Sequence, residues 1–288
     1  MGVIIGSLGV LICVLTGLAG PAGVDKLVLL IQPFEFIVIA GSAFFTVITS
    51  TPGRIIKKLI PAIIGAIKGS GVSKQTYTDL LGLMACIFDV IRKEGALGVE
   101  ADIADPKASA RFQKYPAASN NHHIMETFIG SLRLFVDGVV NSFELEKMLD
   151  TEIETHHEEE SACSSLVSRT ADSFPALGIV AAVLGIIITM QALSEGPDAI
   201  GHHVAAALTG TFLGILLGYG FVSPVAAKME NNTNDISTVL KTLQIGLVAF
   251  SGGTSPQVAL EFARKKIPSD MRPTSEELEE IIRAAKAK

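Results

Sequence analysis

The chain is predicted to be all-α and polytopic in a membrane, with four spanning helices and a helical segment between the second and third. Three observations predict this. Forty-nine per cent of its 288 residues are hydrophobic against 18 per cent charged, and the mean hydropathy is +0.47. Four apolar stretches reach or approach the roughly 20 residues that a spanning helix needs. No segment alternates apolar and polar residues with the period of a strand.

The elements follow in order. Residues 1–20 form the first span, which lacks the positive n-region of a cleaved signal peptide and is expected to be retained. Residues 34–50 form a shorter second span bounded by Pro33 and Pro52. RIIKKLIPAIIGAIKG then places Ile55, Ile56, Leu59, Ile60, Ile63, Ile64 and Ile67 at helical spacing, with Lys57, Lys58 and Lys68 opposite. Such a helix lies in the membrane interface or packs on a core, and Pro61 argues against one straight rod. A helix is predicted over 76–94, with Arg92 and Lys93 suiting its last turn and Gly95 its C′ position. Turn-rich sequence follows, and a long helix is expected from near Ile124 towards the third span at 174–192. The fourth span covers 204–222. The predicted organisation is 1–51 membrane, 52–172 cytoplasmic and helical, 173–224 membrane, and 225–288 a cytoplasmic tail.

Charge sets the topology. Arg54, Lys57, Lys58, Lys68 and Lys74 follow the second span, whereas the loop QALSEGPDAIGHH has no Lys or Arg and the first loop has only Lys26. Basic residues gather on the cytoplasmic side. Both short loops then face outward and both termini face the cytoplasm. The net charge of −6 points to no particular partner, and without a basic domain or any tryptophan the chain is not a nucleic-acid binder. Cys13, Cys86 and Cys163 fit neither a disulfide framework nor a zinc spacing.

Catalytic motifs are lacking. The histidines form three adjacent pairs (His122/His123, His156/His157, His202/His203), and neighbours on a helix diverge by about 100° rather than clamping a metal. They are read as solvated surface, and the acidic run 152–160 as a solvated helix face. No phosphate loop, nucleophile elbow or paired catalytic carboxylates are present, so neither an enzyme nor a cofactor is expected.

The third and fourth spans are more telling. PALGIVAAVLGIIITM opens on Pro175, HVAAALTGTFLGILLGYGFVSP ends on Pro224, and neither contains a charge. Gly178, Ala182, Gly185 and Thr189 lie near one line, as do Ala206, Gly210, Gly214 and Gly218. Small residues every four let helix backbones approach in lipid. Packing of the two helices on each other would use both stripes, and their number suggests oligomerisation as well. Pro175 suits a helix start with Asp172 or Ser173 as cap. Pro224 removes a hydrogen bond to the carbonyl of Gly220, which at membrane depth needs another partner.

PALGIVAAVLG, GTFLGILLGYGFVSP and IRKEGALGVEADIADP, with the weaker IETHHEEE, resemble the MotA family of flagellar motor stator subunits over nearly the whole chain. The resemblance implies a homopentameric ring around a MotB-type partner, whose intramembrane aspartate carries the ion, and whose ion flow makes the ring push the rotor protein FliG. By position it implies that Pro175 and Pro224 flank that aspartate and govern the conformational response. Thr211 matches a pore-lining threonine, Asp172 an acidic residue at the cytoplasmic mouth, and Arg92 and Glu100 the charged pair facing FliG. Ala182 stands where sodium-driven relatives have a threonine. Sodium needs several oxygen ligands, so protons are the expected coupling ion. The alternative, an ExbB- or TolQ-type subunit energising envelope transport, usually has three spans.

Overall fold

The computed structural model describes residues 2–23, 30–191 and 196–286, without the side chains of Pro21, Ala22, Asp198, Ala199 and His202. Lys26 in the first loop, Ala192 at the predicted end of the third span, and the rest of 192–195 in the second outward loop lie outside the described residues. The described residues are helical and contain no strand. They form two compact units: residues 1–69 with 159–232, and residues 70–158 with 233–288.

The first unit holds the apolar helices. Four helices are long and apolar enough to cross a membrane: Gly2–Gly20, Pro33–Ser50, and stretches of Ser142–Gln191 and His203–Ser251. The second span contains a π-helical turn at Ile37–Gly41, and the fourth one at Leu216–Val222. Ile39 and Ala43 of the second span are buried against Phe174 and Ala181 of the third. The amphipathic helix Gly53–Lys68 runs through Pro61 without a break. Its Ile55, Leu59, Ala62, Ile63 and Ala66 pack on Cys163, Val167, Ala226 and Met229, whereas Ile60 and Ile64 stay exposed. One face thus packs on protein and a second apolar face is left outward. Lys58 donates to Glu159 at 3.0 Å, and that carboxylate raises the lysine pKa.

The second unit has its own core around the helix Lys74–Glu94. Ser73 caps it through a reciprocal capping box with Thr76, and Gly95 closes it at φ +79°, a conformation that glycine adopts freely. Tyr77, Leu80, Leu81, Leu83, Met84, Ile87 and Phe88 are fully buried along it. Each such side chain contributes about 1.5–3 kcal/mol of burial. Val239, Leu243 and Leu247, Ala259, Leu260 and Ala263, and Leu278 and Ile282 complete the core. Phe88 stacks on Phe250 with centroids 4.1 Å apart.

Two expectations need correction. The turn-rich stretch contains three short helices, Glu100–Ala104, Ala110–Gln113 and Pro116–Ser119. The helix expected to run from near Ile124 into the third span is divided into His122–Val136 and Ser142–Gln191. Gly138 at φ +65° breaks it, and Asn141 and Glu144 restart it by exchanging side-chain and backbone hydrogen bonds at 3.0 and 2.9 Å.

Candidate functional site

The candidate site is the seam between the third and fourth spans. A Cβ added to Gly214 would lie 2.6 Å from the Phe174 carbonyl oxygen, and one on Gly178 would lie 3.0 Å from that of Gly210. A Cβ on Gly185 would lie 2.9 Å from Ala207 Cβ and 3.2 Å from its Cα. The two backbones therefore touch directly, and both small-residue stripes are used within the chain. Ala181, 3 per cent exposed, faces Gly210, while Ala182 is half-buried at its edge.

Pro175 does not start a helix. It lies inside the 50-residue helix Ser142–Gln191, where its missing N–H leaves the carbonyl of Ala171 without its usual partner. Ser173 caps nothing: its hydroxyl donates to Thr170 O at 2.7 Å. Gly218 sits over the Ala171 carbonyl, so close that an added Cβ would be 2.6 Å from that oxygen and 3.3 Å from Pro175 Cδ. Asp172, the next residue, is exposed.

Pro224 is exposed near the start of Ser223–Ser251, directly after the π turn. There the Ser223 N–H reaches Gly218 O, five residues back. The wider turn lets the chain pass a proline without the steric conflict that an α register imposes on the carbonyl four residues earlier.

Thr211 packs beside Gly178, its Cα 3.3 Å from where a Gly178 Cβ would lie. Thr189 and Thr209 of the same two spans donate to carbonyls four residues back, at 2.8 and 2.9 Å. The half-buried Thr211 hydroxyl makes no hydrogen bond among the described residues. Pro175, Ala182 and Thr211 thus line one seam. The outer face of the third span, with Ile179, Val183, Ile186 and Ile187, is exposed.

Arg92 and Glu100 belong to the second unit, on the last turn of Lys74–Glu94 and the first residue of Glu100–Ala104. Both are exposed, and neither forms an ion pair among the described residues. The turn between them is rigidly braced. Gly98 packs on Glu94 and Val90, and Arg111 donates to Gly98 O at 3.4 Å and to the buried Asp102. Asp102 also accepts from Ser109 at 2.6 Å. The carboxylate holds the Arg111 pKa above its ordinary value. This brace was not read from the sequence, although DIADPKASAR carries its three residues.

The histidines and the acidic run also need correction. His156 Nε2 meets His123 Nδ1 at 2.8 Å, and His157 Nδ1 meets Ser237 Oγ at 3.1 Å. Only His122 fits the solvated description, with its side chain 82 per cent exposed, and the side chain of His202 is not described. Within the acidic run Glu152 accepts from Thr127 at 2.7 Å, so that face is partly engaged. No group of three or more metal-ligating side chains occurs among the described residues.

Sequence reasoning also missed Glu35. It is a carboxylate in the first turn of the second span, and its Cγ lies 3.4 Å from where a Gly210 Cβ would stand. A lone carboxylate inside an apolar span was the available signal.

Four spans, a charge-free helix pair in backbone contact and an interrupted hydrogen bond at Pro175 define an all-α membrane protein. Residues 118–242 match the MotA/TolQ/ExbB proton channel family, and residues 4–95 match the motility protein A N-terminal family. The chain is 35% identical to motility protein A of Escherichia coli over 257 residues, 89% of this chain and 87% of that one. It is 34% identical to the chemotaxis protein LafT of Vibrio parahaemolyticus, over 96% of this chain and 97% of that one. The chain belongs to the motility protein A family. The fold is that of the C. jejuni MotAB structure (TM-score 0.78, 20% identity, 93% of this chain and 96% of that one). The Bacillus subtilis flagellar MotAB stator complex is similar as well (TM-score 0.76, 21% identity, with the same shares covered).

Proposed function

We propose that this chain is the stator subunit of a bacterial flagellar motor. With a MotB-type partner in the inner membrane it forms a proton-conducting unit that converts ion-motive force into torque on the rotor protein FliG. The observation that carries the reading is the seam itself: Pro175 and Gly218 meet at one freed carbonyl, and no acidic or basic residue lies in the spanning stretches 175–190 and 204–222. A channel of this kind needs a titrating group that this helix pair lacks, and an aspartate on the partner's helix supplies it. The match of residues 4–95 to motility protein A, together with four spans, favours this over an envelope-transport subunit.

The finer parts of the reading rest on the following support. The exposed Ile179, Val183 and Ile187 face suits burial against the partner or neighbouring copies in a homopentameric ring. The basic residues after the second span support cytoplasmic termini. Pro175 and Pro224 govern the response to the partner's aspartate, Thr211 lines the path, and Asp172 stands at its cytoplasmic mouth. Arg92 and Glu100 face FliG. Ala182 offers no side-chain oxygen, which supports protons over sodium. One elementary charge crossing 100 mV releases about 2.3 kcal/mol, enough to bias a step between ring positions.

Purification from its native membrane tests this. A co-purifying single-span protein with an intramembrane aspartate and a peptidoglycan-binding region is expected. Its replacement by an envelope-transport partner would overturn the reading. Swimming speed at fixed pH is expected to be flat across sodium concentrations, and a strong sodium dependence would overturn the proton assignment.

A further inference from the structure

We propose that Glu35 is a proton-carrying carboxylate contributed by this chain to the ion path; the inference rests on the channel reading above. A carboxylate within a spanning segment is costly when charged, so it either holds a proton or occupies a polar niche. Glu35 is half-buried and has no hydrogen bond or ion pair among the described residues.

Its placement is specific. A Cβ on Gly210 would lie 3.4 Å from Glu35 Cγ, 3.3 Å from Ala181 Cβ and 3.6 Å from the Ala182 nitrogen. The Glu35 stem therefore enters where the second, third and fourth spans converge, beside Ala182 and one residue from Thr211. Helix-start electrostatics favour a carboxylate in the first turn after Pro33. That explains why the residue is tolerated, but not why its stem packs on the fourth span.

The chemistry is a simple relay. The carboxylate accepts a proton from a hydronium ion at the outer side, releasing water and becoming neutral. It then returns that proton to a water on the way to the partner's aspartate and is charged again. No covalent intermediate or co-reactant is needed. A neutral side chain at this position, such as glutamine, keeps the shape and removes the relay.

The test uses the complete complex with its partner, measuring proton uptake into vesicles and swimming speed across external pH. Glu35→Gln is expected to lower proton uptake about a hundredfold, the lower end of the scale on which a positioned acid–base group acts. Membrane level and partner co-purification should stay unchanged. Glu35→Asp is expected to recover much of the uptake with a displaced dependence on external pH. Wild-type uptake and pH profile in Glu35→Gln would overturn the proposal alone. If Glu35→Gln does not assemble, Glu35→Asp decides: a displaced pH profile supports the relay and an unchanged one overturns it. A wild-type complex that takes up no protons overturns the channel reading and this proposal together.

Discussion

Gly218 lies against the carbonyl oxygen of Ala171, with no room for a side chain between them. Because Pro175 cannot donate to that oxygen, one of the two tightest approaches of the spans falls on the carbonyl the helix has left open, the other being Gly214 on the Phe174 carbonyl. Gly218→Ala would bring a carbon to 2.6 Å from it, and backbone cannot swing aside as a side-chain tip can. The substitution is expected to cost about 1–3 kcal/mol and to lower swimming speed. Melting temperature of the detergent-solubilised chain checks the first part, and a value equal to wild type contradicts it.

Pro175→Ala acts in the opposite sense, returning an N–H to Ala171 and regularising the third span. Motility should slow or stop while the protein still assembles with its partner. Swimming speed and co-purification measured together decide this, since unchanged speed removes the proline from the mechanism.

Arg92 and Glu100 are exposed, where single ion pairs are worth about 0–1 kcal/mol. Reversing either charge should therefore leave melting unchanged and reduce torque. Reversing the opposing charge on the rotor should restore part of it. If no such combination recovers torque, the two residues are ordinary surface.

Arg111→Ala is expected to loosen the turn that presents this pair. It leaves the buried Asp102 with Ser109 alone, a loss of about 1–3 kcal/mol. Faster amide exchange over 95–104 is the specific sign. Uniform exchange across the second unit would point to general unfolding instead.

Acid should weaken the second unit. Hydrogen bonding from Arg264 holds Glu261 below its ordinary pKa of 4.5, and Lys74 and the Thr274 backbone do the same for Glu277. A carboxylate depressed in the folded state stabilises it above the unfolded pKa, and that contribution is lost as pH falls through the folded value. Melting temperature should fall on acidification between about pH 5 and 3, and Glu261→Gln should flatten the decline. An equally steep decline in the variant would assign the acid sensitivity elsewhere.

Much of this architecture was legible because its causes are local. Apolar runs of membrane length set the four spans, and Gly95 sets the end of the helix Lys74–Glu94. The break at 137–141 was legible too, in Gly138 and the Asn141–Glu144 pair, but the acidic helical pattern around it hid the signal. Glu35 was obscured by the short second span. What could not be read was tertiary. Which histidine meets which, that Arg111 reaches Asp102, and that the wide turn before Pro224 absorbs the proline all depend on partners distant in the chain or on backbone register.

The backbone contact between the third and fourth spans has a mechanical consequence. Where carbonyl meets Cα directly, no rotamer can yield, so one helix cannot slide or roll on the other without the whole contact separating. The hairpin then behaves as a single stiff element, like two rods keyed together. Relative movement against a neighbouring surface would then fall at the hairpin's outer apolar face rather than along this contact.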